Sequence, residues 1–199
     1  LRERAREGPA VEMNLQSALA GAIPYTRGVT TDARLAIAHA LRLSMKLGDT
    51  DFHLRCLRLI GTMELFFGHH DAAIRTLESF LAIATAEDPS ALAEGESHLG
   101  VGETFVGRIE DARLRMVRLH AKHTQDFNDT RFARFQYSNS DNTLVVMCHA
   151  EWLTGRPDAA ARTAETILLY GHQAAHELSL SIALAWNSLV YLWLGNVAE

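Results

Sequence analysis

Apolar residues recur at intervals of three and four along most of the chain, which is the spacing of one face of an α-helix. The strict alternation of apolar and polar residues that marks a half-buried β-strand is absent from the sequence. Proline, which interrupts helices, occurs at four positions that leave long helical stretches between them: Pro9, Pro24, Pro89 and Pro157. The pattern therefore predicts an all-α protein.

Five glycine-centred turns divide these stretches at intervals of 40, 39, 48 and 40 residues, which is typical of helical repeat proteins. The turn glycines are Gly28, Gly68, Gly107, Gly155 and Gly195. Each of the first four is followed five residues later by an alanine: Ala33, Ala73, Ala112 and Ala160. A left-handed glycine ends one helix and a polar residue after it begins the next, so each turn predicts a helical hairpin.

A second feature keeps the same phase, because a small residue stands seven positions before each turn glycine. These residues are Gly21, Gly61, Gly100, Cys148 and Ser188. Small side chains on both helices of a hairpin allow their axes to approach closely. We therefore expect the small residues and the alanines to meet at helix-to-helix contacts.

The repeat register predicts two kinds of helix, which we call A helices (before each turn) and B helices (after it). The A helices are expected over 8–23, 51–67, 89–106, 131–154 and 174–194, and the B helices over 31–47, 71–86, 109–124 and 157–171. The small residue, glycine and alanine at these spacings resemble the tetratricopeptide (TPR) consensus. The resemblance implies a TPR-like α-α superhelix of about 40 residues per repeat with one concave side. We expect residues 1–199 to form a single such domain, cut from a longer chain.

Several segments also resemble the C-terminal TPR-like half of bacterial winged-helix transcriptional regulators that carry a central ATPase domain. They are the residues 25–28, 47–52, 134–137, 182–187 and 192–195. The resemblance implies a sensor or interaction domain for signal transduction and transcription regulation, although neither the winged helix nor the ATPase lies within this sequence. The alternative is a free-standing TPR scaffold that binds a peptide or partner protein.

Charge and composition limit the kinds of partner that we expect for this chain. A net charge of −5 gives no basic surface for nucleic acid, so direct nucleic-acid contact is not expected. The sequence has no run of about 18 consecutive apolar residues, which a transmembrane helix would need, and its first residues lack the apolar core of a secretion signal. Both observations favour a cytoplasmic protein without membrane contact. The two cysteines, Cys56 and Cys148, lie in apolar helical stretches and are expected to be buried free thiols.

Three patterns that could carry chemistry favour a structural interpretation. The ten histidines lack the spacing of a zinc site and are expected at the surface, and no Lys-Ser/Thr pair follows the glycines at 100–107 to make a phosphate loop. The glutamates four residues before the turns, Glu64, Glu103 and Glu151, are expected to be solvated or ion-paired. We therefore expect no enzyme activity, no cofactor and no metal.

Candidate binding residues come from the register and from one unusual segment. Residues 125–141 add about eight residues to their repeat and mix aromatic, arginine and amide side chains, which favours either a recognition surface or a lengthened A helix with Phe132 and Phe135 in the core. This segment contributes Arg134, Gln136 and Tyr137. Concave A-helix positions contribute Arg55, Arg58, Glu94, Ser97, Asn142, His149 and Trp152.

The expected ligand of this surface is a protein or peptide partner, or a small-molecule effector. The last A helix carries Trp186, Tyr191 and Trp193, which would expose apolar surface unless something covers them. A homodimer is therefore a further possibility.

Overall fold

A computed structural model describes residues 2–28, 30–123, 139–173 and 177–195, and no β-strand occurs among them. The α-helices are α1 (Arg2–Arg27), α2 (Thr31–Leu47), α3 (Thr50–Phe66), α4 (His70–Glu87), α5 (Leu92–Phe105), α6 (Ile109–His123), α7 (Asn139–Leu153), α8 (Pro157–Gln173) and α9 (Glu177–Leu194). A short 3-10 turn, Pro89–Ala91, precedes α5. The predicted all-α class is confirmed.

The chain divides into two compact units, residues 1–98 and 99–199. In the first unit α1 packs on α2, α2 on α3 and α3 on α4. Its core includes Met13 and Ala20 from α1, Ala33 and Ile37 from α2 and Cys56 from α3. In the second unit α6, α7, α8 and α9 pack in sequence order, and α9 also contacts α7. Each unit is therefore built from sequential helical hairpins.

The predicted turn glycines all have positive φ angles, between 76° and 82°. At Gly68, for example, the glycine N–H donates to the Leu65 carbonyl at 3.1 Å, and the next N–H, of His69, donates to the Glu64 carbonyl at 2.9 Å. The same pair of bonds follows Gly107 and Gly155. These bonds satisfy the last carbonyls of each A helix, because only a left-handed residue lets the chain turn back tightly enough to make them. The predicted role of the glycines is confirmed.

The predicted close contact is present at three of the small residues, Gly61, Gly100 and Cys148. A Cβ atom built on Gly61 would lie 2.9 Å from the Leu77 side chain of α4, and one on Gly100 would overlap the Met116 methyl group of α6. Cys148 takes the same place in α7, where its Sγ donates to the Ala160 carbonyl at 3.2 Å. The four alanines are fully buried. Each A helix in these hairpins thus comes closest to its B helix at a position that carries a small residue.

Some predicted helix ends were wrong. The helix expected over 8–23 runs from Arg2 to Arg27, through both Pro9 and Pro24. An interior proline costs about 3 kcal/mol, and the burial of Met13 and Ala20 in the core shared with α2 offsets that cost. The helix expected from residue 89 starts as a 3-10 turn and becomes α-helical only at Leu92.

The segment that joins α6 to α7 lies outside the residues that the structure describes. Of the helix expected over 131–154, the structure describes the part from Asn139 to Leu153. Phe132 and Phe135, and with them the choice between a recognition surface and a lengthened helix, fall in the part that is not described.

Candidate binding site

In the first unit the predicted positions on α3 and α5 come together. Arg58 Nε lies 3.6 Å from Glu94 Oε1, and His98 Nδ1 lies 3.5 Å from the same oxygen. His98 Nδ1 also donates to the Glu94 main-chain carbonyl at 3.0 Å. Two residues predicted for a concave binding surface, Arg58 and Glu94, therefore lie next to each other on different A helices.

This cluster is buried, however, and does not line an open groove. The side chains of Glu94 and Arg58 are only 1% and 14% exposed, and Ser97 is fully buried. Burial lowers the pKa of His98, against the attraction of Glu94, so the ring is neutral near pH 7. An ion pair held between two helices in this way joins them, whereas a partner could not reach it without moving a helix.

Arg55 lies nearer the surface of the same helix. Its guanidinium pairs with Asp51 one turn earlier at 2.7 Å, and its Cζ lies 5.1 Å from the centre of the Phe52 ring. These contacts within α3 hold the side chain in one direction.

In the second unit His149 and Trp152 of α7 lie against α9. His149 Nε2 is 2.9 Å from the Trp186 carbonyl oxygen, and because a carbonyl can only accept, Nε2 carries the proton and donates. Burial lowers the pKa of His149, which keeps the ring neutral. The His149 ring lies 5.4 Å from the Trp193 ring, and the Trp152 ring stacks on Trp193 at 6.1 Å and 20°.

These contacts leave an exposed aromatic patch, which we call the Trp surface: Trp152, Trp186, Leu189 and Trp193. Trp186 and Trp193 are 41% and 40% exposed although their rings contact α7. At 100° per residue the three α9 members share one side of the helix. No charged residue occurs between Leu178 and Leu194. Indole rings held by neighbouring rings, on a helix segment without charged side chains, have the composition of interface hot spots.

Only part of this patch was predicted from the sequence. His149 and Trp152 were predicted as binding residues by their register, whereas Trp186 and Trp193 were noted only as exposed apolar residues. The signal that could have joined them is the A-helix phase, since α7 and α9 are both A helices. Asn142 lies further along α7 and is half-buried. Arg134, Gln136 and Tyr137 lie outside the described residues.

A small recess lies elsewhere in the second unit, among α6, α7 and α8. It has a volume of about 150 Å³, and charged or polar side chains on its wall include His120, Glu151, Arg162 and Thr166. Thr163 Oγ1 donates to Glu151 Oε2 at 2.8 Å. Burial nevertheless raises the pKa of Glu151, against the lowering effect of this bond and of nearby arginines. The recess therefore offers both charge signs to a small polar molecule.

Glu64 and Glu103 are ion-paired, as predicted, whereas Glu151 is buried and accepts a hydrogen bond from Thr163. Glu64 accepts from His69 Nδ1 at 2.7 Å, and Glu103 forms a two-pronged ion pair with Arg115 at 2.9 and 2.8 Å. The expectation that histidines lie at the surface is wrong for His98 and His149, because each is buried and satisfied by a main-chain carbonyl. Within the described ranges no three His, Cys, Asp or Glu residues gather as a metal site would require.

The predicted free thiols are confirmed. Cys56 and Cys148 are buried, and burial raises the pKa of each to about 12. Both are therefore protonated at neutral pH and chemically inert.

Of the comparisons with known proteins, only the one with solved structures gives a match. No family model matches the chain, and no curated protein matches it. Among solved structures it is similar to the Podosopora anserina putative kinesin light chain with nearly identical TPR-like repeats. The likeness has a TM-score of 0.66 at 14% identity and covers 96% of this chain and 90% of that one. No described helix is both long and apolar enough to span a bilayer. At this identity the likeness establishes the fold alone, and the chain is an all-α, TPR-like helical repeat protein.

Proposed function

We propose that this chain is a non-catalytic, cytoplasmic protein-binding repeat domain, and that its Trp surface takes the apolar side chains of a peptide or partner protein. The observation that carries the proposal is the exposure of Trp186 and Trp193 while both rings are held in place by α7. A ring that is already fixed loses little conformational entropy on binding. Such preorganised aromatic residues supply most of the free energy at protein interfaces.

The size of the Trp surface sets the expected affinity. A Trp side chain can bury up to about 250 Å², so the exposed two-fifths of Trp186 and Trp193 offer roughly 100 Å² each. At about 25 cal/mol per Å² this amounts to about 2.5 kcal/mol for each ring. Two such contacts do not overcome the cost of association unaided, so Leu189 and Trp152 have to contribute as well.

The test is selection of peptides that bind the folded chain. A random phage-displayed peptide library is selected on the wild-type protein, and the affinity of each enriched peptide is measured by fluorescence anisotropy. We expect peptides with an aromatic or large aliphatic anchor, and roughly 60-fold weaker affinity for Trp193→Ala, which corresponds to about 2.5 kcal/mol. Leu169→Ala is the matched control, because Leu169 is also exposed but lies on α8. Equal loss in both variants, or no loss in either, would refute the proposal.

A finer proposal is that the domain senses a small-molecule effector for a bacterial transcriptional regulator. The recess in the second unit favours it, because Glu151 and Arg162 offer opposite charges within one small volume. Zwitterions such as free amino acids are the matching ligand class. The assay is thermal unfolding with a panel of amino acids, in which a stabilising compound should lose its effect in Arg162→Ala. Sequencing the flanking coding region gives a second test, since the regulator role requires an upstream winged helix and ATPase domain.

A further inference from the structure

The Trp surface contains all three tryptophans of the chain. Trp186 and Trp193 stand seven residues apart in α9, so they share one side of the helix and lie roughly 10.5 Å apart along its axis. The His149 ring of α7 lies 5.7 Å from the Trp186 ring and 5.4 Å from the Trp193 ring, and Trp152 stacks on Trp193. Helix α7 therefore holds two exposed aromatic rings at a defined spacing.

The hydrogen-bonding side-chain groups of this surface are all donors. Each indole ring has one N–H group, which donates and cannot accept, and Leu189 has no polar side-chain atom. The Trp186 carbonyl already accepts from His149 Nε2 at 2.9 Å. The sequence between Leu178 and Leu194 also contains no charged residue. A partner that covers these rings therefore has to supply acceptors without charge, because a covered N–H group without an acceptor weakens binding.

The three regular backbone conformations meet these requirements differently. A β-strand presents side chains on one side about every 6.7 Å, so its contacts fall at about 6.7 or 13.4 Å and miss the second ring. An α-helix repeats at roughly 10.5 Å over seven residues, but its carbonyls are bonded within the helix. A polyproline II helix brings every third residue to one side at about 9.3 Å, and its carbonyls have no internal partner. It is therefore the conformation that suits both the spacing of the rings and the indole donors.

We propose that the Trp surface binds an uncharged, proline-rich segment of a partner protein, which lies along α9 in the polyproline II conformation. Apolar side chains three residues apart contact Trp186 and Trp193, and carbonyls of the segment accept from the indole N–H groups. Proline between the two anchors fixes the backbone and removes N–H donors for which the Trp surface has no side-chain acceptor. The proposal rests on the protein-binding function proposed above and adds the conformation and sequence of the bound segment.

Three labelled peptides test the conformation and the spacing on the 199-residue chain, with affinities measured by fluorescence anisotropy. The first contains Leu-Pro-Pro-Leu. The second contains Leu-Ala-Ala-Leu, which keeps the anchors and their separation in sequence but not the fixed backbone, and it should bind about tenfold more weakly. The third contains Leu-Pro-Pro-Pro-Leu, which turns the second anchor about 120° away from the first, and it should also bind at least about tenfold more weakly.

The hydrogen bonds to the segment are tested by nitrogen-15 NMR. Because the chain has three tryptophans, its spectrum should contain three indole N–H signals, which Trp186→Phe and Trp193→Phe assign. Saturation with the Leu-Pro-Pro-Leu peptide should move the Trp186 and Trp193 signals downfield, because each N–H gains an acceptor. Leu169→Ala is the control, and it should change neither the affinity nor these shifts, since Leu169 is exposed but lies on α8.

The outcomes separate this proposal from the broader one. Absent binding of the Leu-Pro-Pro-Leu peptide, equal affinity for the Leu-Ala-Ala-Leu peptide, or indole signals that stay in place at saturation would overturn the polyproline II mode. Library peptides that bind as helices and lose affinity in Trp193→Ala would overturn it too, but would leave the protein-binding function intact. If no selected peptide depends on Trp193, both proposals fail.

Discussion

Gly95 gives the sharpest test of helix packing in the first unit. It lies inside α5, where a Cβ atom would be 2.5 Å from Phe80 Cδ1 and 2.8 Å from Leu81 Cδ2 of α4. Phe80 is fully buried, so its ring has no free space behind it. The substitution Gly95→Ala therefore forces α4 and α5 apart by about 1 Å, because carbon atoms pack best at about 3.5 to 4 Å.

The magnitude follows from two opposing effects. Forcing an extra methyl group into a packed contact costs about 1 to 3 kcal/mol. Replacing glycine by alanine inside a helix stabilises it by about 1 kcal/mol. We expect a net destabilisation of about 1 kcal/mol for Gly95→Ala. Gly8→Ala is the matched control, because Gly8 also lies within a helix but no atom comes within 4 Å of its Cβ position. That variant should be more stable than the wild type by up to about 1 kcal/mol.

The assay is urea unfolding followed by circular dichroism at 222 nm, with midpoints compared only where the slopes agree. A double-mutant cycle with Phe80→Leu identifies the contact, because the smaller side chain should make Gly95→Ala less costly. If Gly95→Ala raises the midpoint as Gly8→Ala does, the close approach of α4 and α5 is refuted.

Three further predictions concern ionisable groups of the chain. Burial raises the pKa of Glu151 above its value in the unfolded chain, so folding favours the protonated acid, and stability is lost as pH rises through the folded pKa. Glu151→Gln still accepts the hydrogen bond from Thr163 and carries no charge. It should therefore stabilise the protein at pH 7 and not at pH 3.5, as measured by urea unfolding. The bond from Arg113 lowers the pKa of Glu110 from 4.5 to about 2, and Arg113→Ala should raise it towards 4.5 in a carbon-13 NMR titration, whereas an unchanged value would show that the pair does not form in solution. Iodoacetamide at pH 8 should leave Cys56 and Cys148 unmodified in the folded protein and alkylate both in urea, as counted by mass spectrometry; modification of the folded chain would contradict their burial.

The hairpin repeat was predictable from the sequence because its determinants are local. A left-handed turn requires glycine wherever it occurs, and a close helix contact requires a small residue at a fixed distance from that turn. Gly61 and Gly100 were found in this way. Gly95 was not, because it stands outside the repeat phase. Its requirement comes from Phe80, a large side chain on a different helix, and no local pattern reports such a contact.

The repeat phase predicted which helices carry the candidate site residues, but not which of their side chains are buried. Counting from the turns assigned Arg58, Glu94, His149 and Trp152 to A helices, and the structure then shows that Arg58 lies beside Glu94 and that Trp152 stacks on Trp193 of α9. Whether a given position opens to solvent depends on the volume of side chains contributed by neighbouring helices. Glu94 is therefore enclosed while Trp193 stays exposed, although both occupy A helices.

Positions that are not required for folding of the repeat are the ones where residues that bind partners can differ between repeats. The residues five and nine after a turn glycine are buried in all four hairpins, as are Gly61, Gly100 and Cys148 seven before it, because folding requires them. The residue two before the glycine is exposed and apolar in four repeats, as Phe66, Phe105, Leu153 and Trp193. The exposed part of an apolar side chain adds little to the stability of a fold, so this phase can serve binding. In the second unit Trp193 already belongs to the Trp surface. Leu153→Ala should therefore alter peptide affinity while changing stability by less than about 0.5 kcal/mol.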